Sequence, residues 1–135
     1  MNYLAHLYLS DPTPLAWAGS LMGDFVKGRD LSGYPRELEQ HLRLHRRIDA
    51  YTGRSAAFQA SRRRLDERFR HGRAVLVDVF YDHLLACCWS DYARQPLEEF
   101  SQEVYRGLQS CSELLSPPLR QVLPRMVAED WLSGY

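Results

Sequence analysis

VLVDVFYDHLLACCW, residues 75–89, is the stretch on which the fold class turns. Val75, Val77 and Val79 alternate as a strand would, but the apolar character runs unbroken from Arg73 to Trp89, about 17 residues, which is long for a strand and ordinary for a helix. Apolar residues all round the helix predict that it is buried at the centre of the protein. Asp78 and Asp82 stand four residues apart and so share one side of it, with His83 adjacent. Burying ionised carboxylates without partners costs several kcal/mol. No Lys or Arg lies between Arg73 and Arg94 to pair with them locally. The counter-charge must come from another helix, Arg46 or Arg47 being available for an ion-pair network, or from a metal.

Working outward, residues 55–71 are helical in propensity and rich in Arg, with Gly72 as the stop. Before them, Pro35 in a first-turn position followed by Glu37 and Glu39 opens a helix that runs through LRLHRRIDAYT to Gly53. His41, His45 and Asp49 recur on it every four residues and project from one face. Asn2 is placed to cap a short helix to about Leu9 that carries His6, and the DPTP stretch at residues 11–14 breaks it. A second helix is expected from Pro14 through Trp17 and Leu21 to about Lys27. Asp24 then falls near its C-terminal end, where the helix dipole opposes a carboxylate and calls for a partner or a metal. Segments at residues 96–111 and 117–132 complete a compact all-α helical bundle, read as one domain over residues 1–135.

The bulk properties fit that picture. A chain of 135 residues, 45% hydrophobic and 25% charged, has the composition of a folded protein of one-domain size. No apolar run reaches the length of a membrane span, no leader pattern follows Met1, and a cytoplasmic protein is expected. Cys87, Cys88 and Cys111 have neither metal-site nor disulfide spacing and are read as core thiols. Net charge is zero, yet residues 36–73 hold 11 Arg against 5 acids, so that stretch is strongly positive and the remainder equally negative. Such a local field steers an acidic partner.

There is no GxGxxG, GxxxxGK[ST] or GxSxG, so dinucleotide, P-loop and serine-hydrolase chemistry have no support. Imidazoles mixed with carboxylates suit manganese, iron or zinc better than magnesium or calcium. An ion with open coordination positions polarises a phosphoryl oxygen and acidifies its water, which is hydrolytic chemistry. The arginines at 62, 63, 64, 68, 70 and 73 read first as a solvated helix face, and no nucleic-acid reading motif accompanies them.

MNYLAHLYL at residues 1–9, GDFVKG at 23–28, LHRRIDAYT at 44–52 and DVFYDHLLACCW at 78–89, in this order and over nearly the whole chain, resemble the acyl carrier protein phosphodiesterase family, itself related to the HD-domain phosphohydrolases. The resemblance implies an HD-like helical fold, a divalent metal, usually manganese, and hydrolysis of the phosphodiester joining 4'-phosphopantetheine to a serine of holo-acyl carrier protein. Carried over by position, it implies Asp24, His45, Asp49 and Asp82 as metal ligands, and His6, Arg46, Arg47, Asp78 and His83 as catalytic or supporting groups. His41 is not part of the family pattern. The acidic carrier protein suits the positive stretch, so Arg54, Arg62, Arg63, Arg64, Arg68, Arg70 and Arg73 are expected to bind it, with neither nucleic acid nor membrane as partner. The final DWLSGY resembles an internal family segment, and a C-terminally truncated version is expected. Two rivals stay open on the residues alone: an HD-type phosphohydrolase acting on nucleotides or small phosphate esters, and a non-catalytic module binding carrier protein or nucleic acid.

Overall fold

Thr13 accepts a hydrogen bond from the Ala16 amide, and Pro14 follows with its φ preset for a first turn, so a helix starts at residue 14. Local rules of this kind give seven α-helices in the computed structural model, which describes residues 2–135 and leaves Met1, the first residue of the opening motif, outside the description. They are α1 (Tyr3–Tyr8), α2 (Pro14–Met22), α3 (Arg36–Arg54), α4 (Ala56–Arg64), α5 (Arg73–Cys87), α6 (Leu97–Ser110) and α7 (Pro117–Ala128). The described residues contain no strand. The all-α expectation holds.

Several boundaries differ from the sequence pattern for identifiable reasons. Asn2 precedes α1, but its side chain makes no capping bond. Expected to reach about Lys27, α2 ends at Met22, and Gly23 to Phe25 form a turn. The Arg-rich stretch is not one helix: Leu65 turns extended, Asp66 accepts from the Arg68 amide, and a short 3-10 turn follows at Glu67–Phe69. A side chain that satisfies amides just ahead of it competes with a continuing helix.

The core is built by α2, α3, α6 and α7, with Leu7 of α1. Trp17, Leu21 and Met22 meet Leu38 and Leu42, Val104, Tyr105 and Leu108, and Leu119, Leu123 and Met126. α2 and α3 approach so closely that a Cβ on Gly19 would stand 2.3 Å from the Leu38 carbonyl oxygen. This contact fixes the faces of α2 and α3 relative to each other. It also carries His45 to the end of α2.

The expectation of a buried central α5 is overturned. Only Val77 and Asp82 are buried on it, while Val75, Val79, Phe80 and Leu84 are exposed. Cys87 and Cys88 are exposed too, and Cys111 is half-buried, so none is a core thiol. A helix apolar on every side carries no signal for which side packs, and here α5 is held at the margin. Tyr81 bonds to Ser61 and packs edge-on to Phe58 of α4, and Asp82 reaches α1.

Candidate metal centre

His45 sits on the core side of α3, between Leu42 and the end of α2, and its ring is buried. Its Nδ1 lies 2.6 Å from the Ser20 carbonyl oxygen, an acceptor only, so Nδ1 carries the proton and donates. In the neutral ring Nε2 is then a lone pair aimed at carboxylates: Asp49 Oδ2 at 3.1 Å and Asp24 Oδ1 at 3.5 Å. That Nε2 is buried and makes no hydrogen bond of good geometry. A lone pair facing two carboxylates is tolerable only with a cation between them, either a proton or a metal ion.

His6 of α1 completes the group. Its ring stacks on that of His45 with centroids 3.8 Å apart and 14° between planes, and its Nε2 is 3.0 Å from Asp49 Oδ1. Ligand atoms of His6, His45 and Asp49 all lie within 4.8 Å of one another. Two imidazole nitrogens and a carboxylate, with one histidine oriented from behind by a backbone carbonyl, are the donor set and outer support that a borderline divalent ion takes. Asp49 has half its side chain exposed, so the group opens to solvent on that side.

The charges are mutually adjusted. Burial opposes protonation of His45, but the facing carboxylates of Asp24 and Asp49 outweigh it and lift the imidazole to about 9. For Asp49 burial works upward and is overcome by the facing His45 and His6 imidazoles, which hold the carboxyl well below its usual range. The facing His45 imidazole likewise lowers Asp24. Asp78 lies near enough to Asp49 and His6 for their charges to act on it, and burial raises its carboxyl.

The other residues singled out in the sequence are distributed differently. Asp82 is fully buried and spends its oxygens on the α1 amides of Leu4, at 2.8 Å, and Ala5, at 3.0 Å. It caps from α5 the first turn that Asn2 leaves open, and burial raises it to about 6 against those bonds. His83 is exposed, with Nδ1 3.1 Å from the Tyr135 main-chain oxygen and Nε2 3.6 Å from Cys87 Sγ, and does not join the stacked histidines. Arg46 donates to the carbonyls of Gly28 and Val26, tying the turn that bears Asp24 to α3. Arg47 is exposed. His41 pairs with Asp11 at 3.1 Å, apart from the group.

Among the arginines expected to bind a partner, Arg63, Arg64, Arg68 and Arg70 are exposed. Arg73 is committed to the Leu65 carbonyl and Glu67, and the Nε of Arg54 to the Ala50 carbonyl. Two contributors escape sequence reasoning. The Ser20 carbonyl has no side-chain signal, being backbone. Gly23 has one, as the first residue of GDFVKG: a Cβ there would stand 2.1 Å from His45 Cδ2, so only glycine leaves room for the ring.

The family model described as acyl carrier protein phosphodiesterase matches residues 1–135. Relatives bearing that name include proteins from Pectobacterium atrosepticum, 36% identical over 143 residues, and Klebsiella pneumoniae strain 342, 32% identical over 143 residues. A further one, from Escherichia coli O6:H1, is 30% identical over 138 residues. Each match takes in the whole of this chain and 70% of the relative. No solved structure matches.

Proposed function

The chain belongs to the acyl carrier protein phosphodiesterase family, and from that premise we propose that it hydrolyses the phosphodiester between 4'-phosphopantetheine and the serine of holo-acyl carrier protein. The products are apo-carrier protein and 4'-phosphopantetheine. The observation that carries the reading is the His45 Nε2 lone pair, fixed by the Ser20 carbonyl and stacked beside His6 over Asp49. That donor set fits a divalent ion, manganese by the family's usual choice, held by His6, His45 and Asp49 with Asp24 beside them. When bound, such an ion supplies charge that polarises a phosphoryl oxygen and acidifies water.

The protein's own groups do the rest. Ser20 and Asp49 fix the two rings, and Arg46 holds the Asp24 turn against α3. Asp78, raised by burial and near Asp49, suits passing a proton between water and the leaving serine oxygen. Arg47, exposed on α3, gives a positive group for the acidic carrier protein. The exposed arginines at 63, 64, 68 and 70 give the acidic carrier protein a complementary face. Such a substrate suits a cytoplasmic protein. No helix of the described residues is long and apolar enough to cross a membrane.

The test is the mass of holo-carrier protein after incubation with the protein and manganese, with a panel of nucleotides run alongside. Loss of the phosphopantetheine moiety is expected. An unchanged carrier protein in the presence of folded, manganese-loaded protein overturns the reading, and turnover of a nucleotide instead assigns the same centre to small phosphate esters.

A further inference from the structure

α1 is six residues long, too short to hold its shape in water alone, so His6 is placed by whatever grips the two ends of the helix. At the first turn the grip is Asp82, on the amides of Leu4 and Ala5. At the last turn it is made by two serines. The Ser10 amide turns to the Leu7 carbonyl, 3.2 Å away, and the His6 carbonyl is among those that a helix end leaves without a backbone partner. The Ser10 hydroxyl donates to it at 2.9 Å. Ser10 Oγ also meets the Oγ of Ser20 on α2, and Ser20 is buried.

A hydroxyl has one proton to give. Ser10 spends its own on the His6 carbonyl, so in the contact between the two serines Ser20 is the donor and Ser10 the acceptor. Ser20 then works with both of its polar groups. Its hydroxyl acts through Ser10 on the backbone of His6, and its carbonyl takes the Nδ1 proton of His45 at 2.6 Å. Resting on the divalent-ion site proposed above, we infer that Ser10 and Ser20 are positioning residues: a directed hydrogen-bonded link that sets α1 against α2 and so holds the His6 ring in its stack on His45. Two imidazoles serve one ion only when both Nε2 atoms face a common point, and groups behind the ligands supply that orientation. Asp49 joins the two rings on the ligand side, and Ser20 reaches both histidines from the other. The stack itself joins helices from distant parts of the chain, so its register depends on how α1 is seated.

The test uses Ser10→Ala, Ser20→Ala and the double variant, all of which keep every ligand atom and the Ser20 carbonyl, with circular dichroism as the check on folding. Manganese affinity is measured by competition with a chelator dye. The seating of His6 in the metal-free protein is measured by the NMR shifts of its ring protons, which the stacked His45 ring displaces. Each single variant is expected to bind manganese roughly tenfold more weakly, the low end of what ligand-orienting groups are worth, and to bring the His6 ring shifts toward those of a free imidazole. Because either change cuts the same link, the double variant should lose no more than about the worse single one. A role in packing alone predicts another pattern: the metal-free variants are less stable in urea, while manganese affinity and the His6 shifts stay at wild-type values. That result overturns the inference, and so do losses that multiply to about a hundredfold in the double variant, as independent sites would give. If wild type binds no manganese, the ion site falls and the His6 shifts decide alone, wild-type shifts in both folded single variants overturning the link. The expected losses together with a holo-carrier protein that is never cleaved leave the link standing and remove the proposed reaction.

Discussion

α3 and α5 both carry histidine and aspartate, yet they differ in how those groups are used. α3 is amphipathic, burying Leu38, His41, Leu42 and His45 along one face, so its polar side chains there are aimed by the same packing that anchors the helix. α5 is apolar almost all round, buries only Val77 and Asp82, and uses Asp82 to cap α1. A polar residue on a periodic helix inherits a direction from its neighbours. One on an aperiodic helix does not, and its role is decided by whatever happens to meet it.

The sharpest break in that comparison is chemical. Asp49→Ala removes a carboxylate shared by His6 and His45, and should reduce turnover of holo-carrier protein to background together with bound manganese. Asp82→Asn should instead keep manganese content, measured by elemental analysis, while lowering stability by roughly 1–3 kcal/mol, since an amide replaces an acceptor of two α1 amides. Loss of manganese from a folded Asp82→Asn protein would move Asp82 into the centre and erase the contrast.

Gly23→Ala acts on the α3 side without touching a ligand. The added Cβ would collide with the His45 ring, which must tilt away from Ser20 and Asp49. Outer groups that orient a ligand are worth about 10- to 100-fold in metal affinity, and a loss of that size is expected by competition with a chelator dye. Unchanged affinity would mean that the backbone of the 23–28 turn yields instead.

What could be read from the sequence follows the same division. The i, i+4 spacing on α3 told which face carries His45 and Asp49, and Pro14 at a first-turn position marked where α2 begins. The stacking of His6 on His45 depends on how α1 lies across α3, a tertiary fact without local trace. The fate of Asp82 depends on α1 lacking a capping bond from Asn2, which a cap-favouring residue type gave reason to expect. The exposure of α5 was illegible because uniform hydropathy has no phase.

A smaller effect tests the electrostatics of the α3 group. With metal removed by chelator, His45 titrates at about 9 folded against 6.5 for the free side chain. A raised folded pKa gives stability that is fully present below pH 6.5 and lost as pH rises through 9, because the folded state then binds more protons than the unfolded one. The lowered Asp24 and Asp49 contribute in the other direction, losing stability only as pH falls into the acid range. Between pH 6.5 and 8.5 the metal-free protein should therefore lose about 1–2 kcal/mol, a figure reduced for the half-exposed Asp49. Urea denaturation at the two pH values measures it, and His45→Gln should flatten the dependence. A slope that survives in His45→Gln would belong to another group.

The smallest expected effect is on the outer face of α5. Phe80 is 57% exposed, and a partly exposed side chain away from a packed core loses little on truncation, so Phe80→Ser should change stability by no more than about 0.5 kcal/mol. Leu42 on α3 is fully buried in the core, and Leu42→Ala should cost roughly 2–5 kcal/mol from lost contacts and the cavity left behind. The pair of variants, unfolded side by side in urea at two protein concentrations, tests the contrast without reference to catalysis. A cost for Phe80→Ser comparable to that for Leu42→Ala, and independent of concentration, would mean that α5 is packed on both sides after all. A cost that grows with concentration would mean that a second copy covers Phe80 in solution. The expected result leaves α5 as a helix anchored through Asp82, Val77 and Tyr81, with its outer face contributing almost nothing to the fold.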